Sequence, residues 1–325
     1  MATDTLQPGG GETFTFDPKF AFNPPRIAIE PSLPPLKLGA AEIRQVPEIA
    51  YKMPIALLTN DQDLLARNAD WLAPRFLDAD GNWEMVVQSW IIVVDGKVVL
   101  VDPCTGNGRS NPALPMMHML DTPYIERFAA TGIRPEQVDY VFCTHLHGDH
   151  CGWNTQLRGG RFVPSFPNAR YIIVRREFDR WDTRRPDHHP VAANAGVFEN
   201  SVLPVLEAGL AELVDDRHRL SDSIAIEPAY GHTAGHSMLH LVSGQDEACF
   251  VGDSFHHPLE VKYPELDMGS CEDFAATVAT RRRILALCLE RDALFVPAHF
   301  AAPHVGWVRA ANGETLFEPY AGESA

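Results

Sequence analysis

Thr144-His145-Leu146-His147-Gly148-Asp149-His150 sets three histidines and an aspartate within six consecutive residues, directly after the apolar run Val138-Asp139-Tyr140-Val141-Phe142-Cys143. Such a run reads as a buried strand, and loops at the ends of a rigid scaffold are where binding groups are held. A surface loop has little structural reason to carry four ligand-type side chains so closely, so this density of nitrogen and carboxylate donors points to divalent metal. On an extended turn the imidazoles of His145 and His147 converge on one ion, and Asp149 and His150 then face a second. Two cations roughly 3.5 to 4 Å apart need further ligands and a bridging anion to offset their repulsion.

Three later stretches offer them. Tyr230-Gly231-His232-Thr233-Ala234-Gly235-His236-Ser237 sets His232 in a glycine-flanked turn before a strand, which suits a ligand that approaches at close quarters. Phe250-Val251-Gly252-Asp253-Ser254 ends an apolar strand in an aspartate able to bridge two ions. Phe295-Val296-Pro297-Ala298-His299 ends another in a histidine. Five histidines and two aspartates give each ion about four protein ligands if Asp253 is shared.

The chain has 325 residues, 45% hydrophobic and 22% charged, enough to bury a full core in one large domain or two small ones. Its 27 Lys and Arg against 43 Asp and Glu give a formal charge of -16, which repels nucleic acid and anionic membrane. No apolar stretch approaches the roughly 20 residues of a membrane-spanning helix, and residues 1–18 lack signal-peptide character, so a cytoplasmic protein with a small-molecule substrate is expected. The six cysteines form no CxxC pair and read as buried free thiols, with Cys151 a small hydrophobe packed under the histidine cluster.

Residues 1–40 are rich in Gly and Pro, including Gly9-Gly10-Gly11, Pro24-Pro25, Pro31 and Pro34-Pro35, and are expected to form an arm without regular hydrogen bonding. Phe14, Phe16, Phe20 and Phe22 are too many for a free tail, so the arm is expected to lie across its own domain or a second subunit, and a homodimer follows. Residues 41–325 read as a single domain. Ser89 to Asp102 predicts a hairpin closed at Asp95-Gly96, and further strands are expected at Tyr171–Val174, Ile224–Glu227, Met238–Val242 and Ala248–Val251. Helices fit Pro123–Thr131, Arg175–Trp181, Val197–Ala208 and Asp273–Glu290. Strands followed by a helix, twice over, predict an α/β fold of two face-to-face sheets with helices outside.

In its complete set, His145-x-His147-x-Asp149-His150 followed by His232, Asp253 and His299, the sequence resembles the metallo-β-lactamase superfamily over roughly residues 45 to 310. The resemblance implies an αββα sandwich with the site at one edge. It implies one ion on His145, His147, His232 and Asp253, and the other on Asp149, His150, Asp253 and His299. Gly231-His232-Thr233-x-Gly235-His236-Ser237 and the late Pro297-Ala298-His299 are most similar to the methyl parathion hydrolase and N-acyl homoserine lactonase groups. The lactonases usually place a tyrosine three residues after the bridging aspartate; here that residue is His256, which looks more like the organophosphate-hydrolase branch.

Two divalent ions, expected to be Zn2+, would lower the pKa of a bridging water towards roughly 7, so a metal-bridging hydroxide serves as nucleophile without serine or cysteine. A lactone or carboxylic ester is the expected substrate, ahead of a phosphotriester. The runner-up is redox chemistry, since mono-iron sulfur dioxygenases and di-iron flavoproteins share the fold. The seven ligands argue against the first, and the lack of a flavin-binding domain against the second. A binding scaffold would tend to lose ligands, whereas all seven candidates are present. Thiolester hydrolysis stays open, without a basic patch for a glutathione-like carboxylate.

Asp149 is assigned a second task, orienting the water or accepting its proton. For His256 a catalytic role at the oxyanion stands beside a structural one; His257 and His236 read as structural, and His118, His188 and His189 as surface residues. Trp153, Trp181, Phe198 and Met117, with Met116, are the candidate pocket residues, for a substrate with an apolar body and a small reactive head. Arg281-Arg282-Arg283 is expected on the solvated face of the last long helix.

Overall fold

The computed structural model describes residues 23–322, so the glycine run and the four phenylalanines of the arm lie outside the described residues. In chain order the first strands are β1 (Arg26–Ile27), β2 (Leu36–Leu38), β3 (Ala41–Pro54), β4 (Asn82–Val94), β5 (Lys97–Val101), β6 (Tyr140–Phe142), β7 (Thr155–Arg158), β8 (Arg161–Pro164), β9 (Arg170–Val174) and β10 (Ala211–Val214). They form an eight-stranded mixed sheet in the order β1-β3-β4-β5-β6-β9-β10, with β2 also on β3 and the β7–β8 hairpin separate. Asp95 and Gly96 close the β4–β5 hairpin with φ of 54° and 68°, the left-handed pair that a two-residue turn between twisted strands requires.

The second sheet runs in sequence order through β11 (His218–Arg219), β12 (Ile224–Pro228), β13 (Ser237–Ser243), β14 (Asp246–Gly252), β15 (Leu294–Pro297), β16 (Gly306–Ala311) and β17 (Glu314–Pro319). Alternation along the strands sorts the core into two layers. Trp90, Ile92, Phe142, Ile172, Leu239, Phe250 and Val296 pack between the sheets. Their chain neighbours Val141, Ile173, Cys249, Val251 and Phe295 face outward, under the helices. Strand segments buried on both faces need near-continuous apolar runs, as Tyr171–Val174, Ala248–Val251 and Leu294–Val296 have.

The helices are α1 (Gln62–Leu72), α2 (Tyr124–Ala130), α3 (Gly148–Cys151), α4 (Arg175–Trp181), α5 (Leu203–Glu207), α6 (Leu259–Lys262) and α7 (Phe274–Arg291). Helix α7 begins where the Asp273 side chain accepts the Ala276 N–H at 2.9 Å and stops at Asp292, φ 50°. The result is the expected αββα sandwich. No helix among the described residues is long and apolar enough to cross a membrane.

Two expectations need correction. The proline-rich segment does pair regularly: β1 and β2 are edge strands on β3, with Arg26 opposite Tyr51 and Leu36 opposite Ile43. Prolines flank these pairs, and edge strands tolerate them because one side of the ladder is unpaired. Arg281 is fully buried, not on a solvated face. Its guanidinium donates to the carbonyls of Ser254, Pro264 and Leu266 and pairs with the equally buried Glu260 at 2.5 Å; only Arg282 and Arg283 stay at the surface.

Candidate metal centre

Strand β6 delivers His145, His147, Asp149 and His150 to one edge of the sandwich, and the turn between β12 and β13 brings His232 to it. Parallel strands β14 and β15, registered Gly252 to Pro297, end side by side and contribute Asp253 and His299. The His232 turn is wedged against two helices. A Cβ on Gly231 would sit 2.3 Å from the Thr277 nitrogen and one on Gly235 2.2 Å from that of Glu177, so glycine is needed for these approaches.

The seven side chains meet in two halves. Nε2 of His145 and Nε2 of His232 each lie 3.0 Å from Nδ1 of His147, and Oδ2 of Asp253 is 3.5 Å from His232 Nε2. In the other half, Nε2 of His150 and Nε2 of His299 are 3.2 Å apart and lie 3.2 and 3.1 Å from Asp253 Oδ1, with Asp149 Oδ2 3.7 and 3.6 Å away. Asp253 reaches both halves with different oxygens, the geometry of a bridging carboxylate.

Ring nitrogens crowded within 3.0 to 3.2 Å of one another, and a buried Asp253 Oδ1 with no hydrogen-bond partner among the described residues, are what a cation would satisfy. Burial holds the His145 and His232 imidazoles far below their ordinary range and brings His147 down to about 4, so these rings are neutral and their nitrogens free to coordinate. At His150 burial acts the same way but is outweighed by Asp253, Asp149 and Asp102, which raise it; this half draws in positive charge.

The ligand rings are fixed from behind. Asp102, at the end of β5, accepts from Thr144 N at 2.7 Å and Thr144 Oγ1 at 2.9 Å and lies 3.1 Å from His150 Nδ1. His299 Nδ1 donates to the Val86 carbonyl at 2.9 Å. Glu177, wholly enclosed in α4, accepts from Leu146 N, Trp181 Nε1, Thr233 Oγ1 and Gly235 N at 2.9, 2.7, 2.7 and 3.0 Å; burial nonetheless pushes its carboxyl up to about 7. Sequence reasoning assigned no role to Asp102 or Glu177. Asp102 follows the second strand of a recognisable hairpin, but Glu177 looks like any acidic residue of a charged helix.

His256 Nε2 is 3.3 Å from Asp253 Oδ2, and the ring faces the cleft, stacked at 6.0 Å on His299. Burial lowers it, but Asp253 and Glu260 outweigh that and raise it to about 9. His257 Nε2 donates to the Phe76 carbonyl at 2.9 Å and its Nδ1 accepts from Leu259 N at 3.1 Å, away from the cluster. His118 and His189 are exposed and His188 half-buried. All six cysteines are free thiols, and Cys151 is buried beneath the site.

The cleft above the cluster has about 660 Å³ of free space, counting its open mouth. Met53, Met85, Met116, Met117 and Met268 wall it with Leu114, Val191 and Ala193; Asn194 and Ser270 are the polar additions beyond the cluster, and no Lys or Arg lines it among the described residues. Of the five candidate pocket residues, Met116 and Met117 are in this wall and the aromatic three are not. Trp153 is stacked on Tyr124 at 5.1 Å and donates to Glu48 at 2.6 Å. Trp181 and Phe198 border a neighbouring cavity on the far side of Val191 and Asn194. The indoles of Trp153 and Trp181 have partners in the interior, Glu48 and Glu177, which draw them away from the opening.

The family model for the metallo-beta-lactamase superfamily matches residues 83–299. No curated protein sequence matches the chain. Among solved structures, a hydrolase of the beta-lactamase superfamily, AbOPH, superposes with a TM-score of 0.74 at 21% identity, over 89% of this chain and 98% of that one. AidC, a dizinc quorum-quenching lactonase in complex with a product, gives 0.72 at 18% identity over 90% and 98%. A probable metal-dependent hydrolase from Staphylococcus aureus gives 0.66 at 17% identity over 87% and 99%. At these identities the likeness is one of fold.

Proposed function

The chain belongs to the metallo-β-lactamase superfamily, and from that premise we propose that it is a dinuclear zinc hydrolase of small, uncharged, ester-like substrates, with a lactone or carboxylic ester first. The observation that carries the proposal is the convergence of seven nitrogen and carboxylate groups at the foot of an apolar cleft that no Lys or Arg lines among the described residues. His145, His147, His232 and Asp253 would hold one ion, and Asp149, His150, His299 and Asp253 the other. Bound there, the pair supplies activated water at neutral pH and Lewis acidity at the ester oxygen.

The remaining work falls to the chain. Asp149, whose side chain is 12% exposed and lines the cleft, is placed to orient the attacking water and accept its proton. His256 Nε2–H points at the cluster from the wall and is available to the oxygen that gains charge. The methionines take an apolar body, being unbranched and adaptable, and the absence of Lys and Arg disfavours anionic substrates. A neutral phosphotriester meets the same requirements. It is kept as the second reading because His256 stands where lactonases of this kind usually carry tyrosine.

Zinc-restored protein is expected to cleave an aryl ester or a lactone, and His145→Ala to abolish the activity. Metal-replete protein inert on lactone, aryl ester and phosphotriester alike would remove the hydrolase reading. Iron in the purified protein with oxygen consumption would replace it by a redox one.

A further inference from the structure

We propose that Glu177 is the positioning residue of the three-histidine half of the site, setting the affinity of that half for its ion while leaving the other half alone. The inference rests on the dinuclear reading above and concerns a residue that touches neither ligand nitrogen nor cleft. Its two oxygens accept four hydrogen bonds: three donors come from the segments that aim His145, His147 and His232, and the fourth is Trp181 of its own helix.

Leu146, whose N–H reaches Oε1 at 2.9 Å, lies between His145 and His147. Thr233 and Gly235, which reach Oε2 at 2.7 and 3.0 Å, follow His232 in the same turn. Trp181, whose Nε1 reaches Oε1 at 2.7 Å, sets its ring edge-on to His147, centroids 5.3 Å apart. One carboxylate thus ties two chain segments, 85 residues apart at the His147 and His232 contact, to a single helix.

The other half has supports that Glu177 does not share, the Val86 carbonyl behind His299 and Asp102 beneath His150, the latter also holding Thr144 beside His145. Neither Val86 nor Asp102 bonds Glu177. Coordination distances tolerate only a few tenths of an ångström, so loosening the first set of anchors degrades one half before the other. All four partners are donors, and a carboxylate is the side chain that meets them all. An amide keeps one accepting oxygen and turns an N–H2 group against the remaining donors.

The test is an ion titration of metal-free protein against a chromophoric chelator, with cobalt(II) absorption as a second readout. Wild type is expected to take two ions. Glu177→Gln is expected to weaken one of them about 10- to 100-fold, the range typical of removing a group that orients a metal ligand, with the second unchanged and the cobalt spectrum of one half altered. Trp181→Phe and Thr233→Val each delete a single donor and are expected to weaken that same ion by less, which keeps the test available if Glu177→Gln does not fold. Two ions bound by Glu177→Gln as tightly as by wild type would overturn the inference and leave the dinuclear reading intact. So would equal weakening of both ions with a matching fall in the thermal stability of the metal-free protein. Wild type that fails to bind a pair would sink the dinuclear reading itself.

Discussion

His236 Nε2 accepts the backbone N–H of Asp253 at 3.1 Å while its Nδ1 donates to the Ala229 carbonyl at 3.0 Å, so a histidine outside the seven candidate ligands fixes the main chain of the aspartate that reaches both halves. Burial brings its imidazole down to about 4, which keeps Nε2 unprotonated and able to accept. His236→Phe would leave a buried N–H without a partner, at a cost of about 1–3 kcal/mol. Because Asp253 spans both halves, this change is expected to weaken both ions together, unlike Glu177→Gln. Ion titration and thermal unfolding of the metal-free protein check both parts; unchanged affinity for both ions would refute the role.

The Glu260–Arg281 pair predicts a larger loss. Both side chains are fully buried, and Glu260 also accepts the backbone N–H groups of His256 and His257, at the foot of the cleft wall. Arg281→Met strands the carboxylate and is expected to cost about 3–5 kcal/mol, whereas adding Glu260→Leu should recover much of it. Denaturant unfolding of the two variants decides this; equal instability would show that the hydrogen bonds, not the stranded charge, dominate.

The sandwich and the cluster of His and Asp side chains were legible because both are local signals. Apolar runs ending in His or Asp mark β6, β14 and β15, and the Asp95-Gly96 turn marks the β4–β5 hairpin. What supports the ligands was not legible. Glu177 gains its meaning only when α4 is laid against the His232 turn, and the buried face of α7 at Arg281 only when Glu260 arrives beneath it. The cleft wall is likewise assembled from Met53, Met85, Met116, Met117 and Met268, which share no pattern along the chain. The aromatic residues were misplaced because size and apolarity suit a core and a pocket equally.

A pH dependence follows from Glu260. Burial alone would raise its carboxyl, but Arg281 and His256 outweigh that and hold it at about 2 in the folded chain, against an ordinary 4.5. A depressed carboxylate contributes stability that is fully present above pH 4.5 and is lost as pH falls through about 2. The difference corresponds to about 3 kcal/mol. Unfolding free energies of metal-free wild type and Glu260→Gln, measured from pH 2 to 6, should converge towards the acid end. Parallel curves would mean that Glu260 does not titrate in this window.

The methionine wall makes the last prediction, about substrate choice. Met85 and Met117 reach the cleft from different elements, one on β4 and the other after β5, and both line it together with the His and Asp cluster. Removing three heavy atoms of thioether by Met→Ala forfeits about 1–2 kcal/mol of apolar contact with a substrate that fills the space, or roughly 5- to 30-fold in kcat/KM. The loss should grow with the length of an acyl or alkyl group across a homologous ester series and vanish for the shortest member, which does not reach the wall. A charge placed in the same wall tests its apolar character: Met117→Lys is expected to raise activity on a carboxylate-bearing ester relative to its neutral counterpart, because no Lys or Arg lines the wild-type cleft among the described residues. Length-independent losses in the alanine variants would mean that the substrate lies elsewhere, on the side of the cluster facing the mouth.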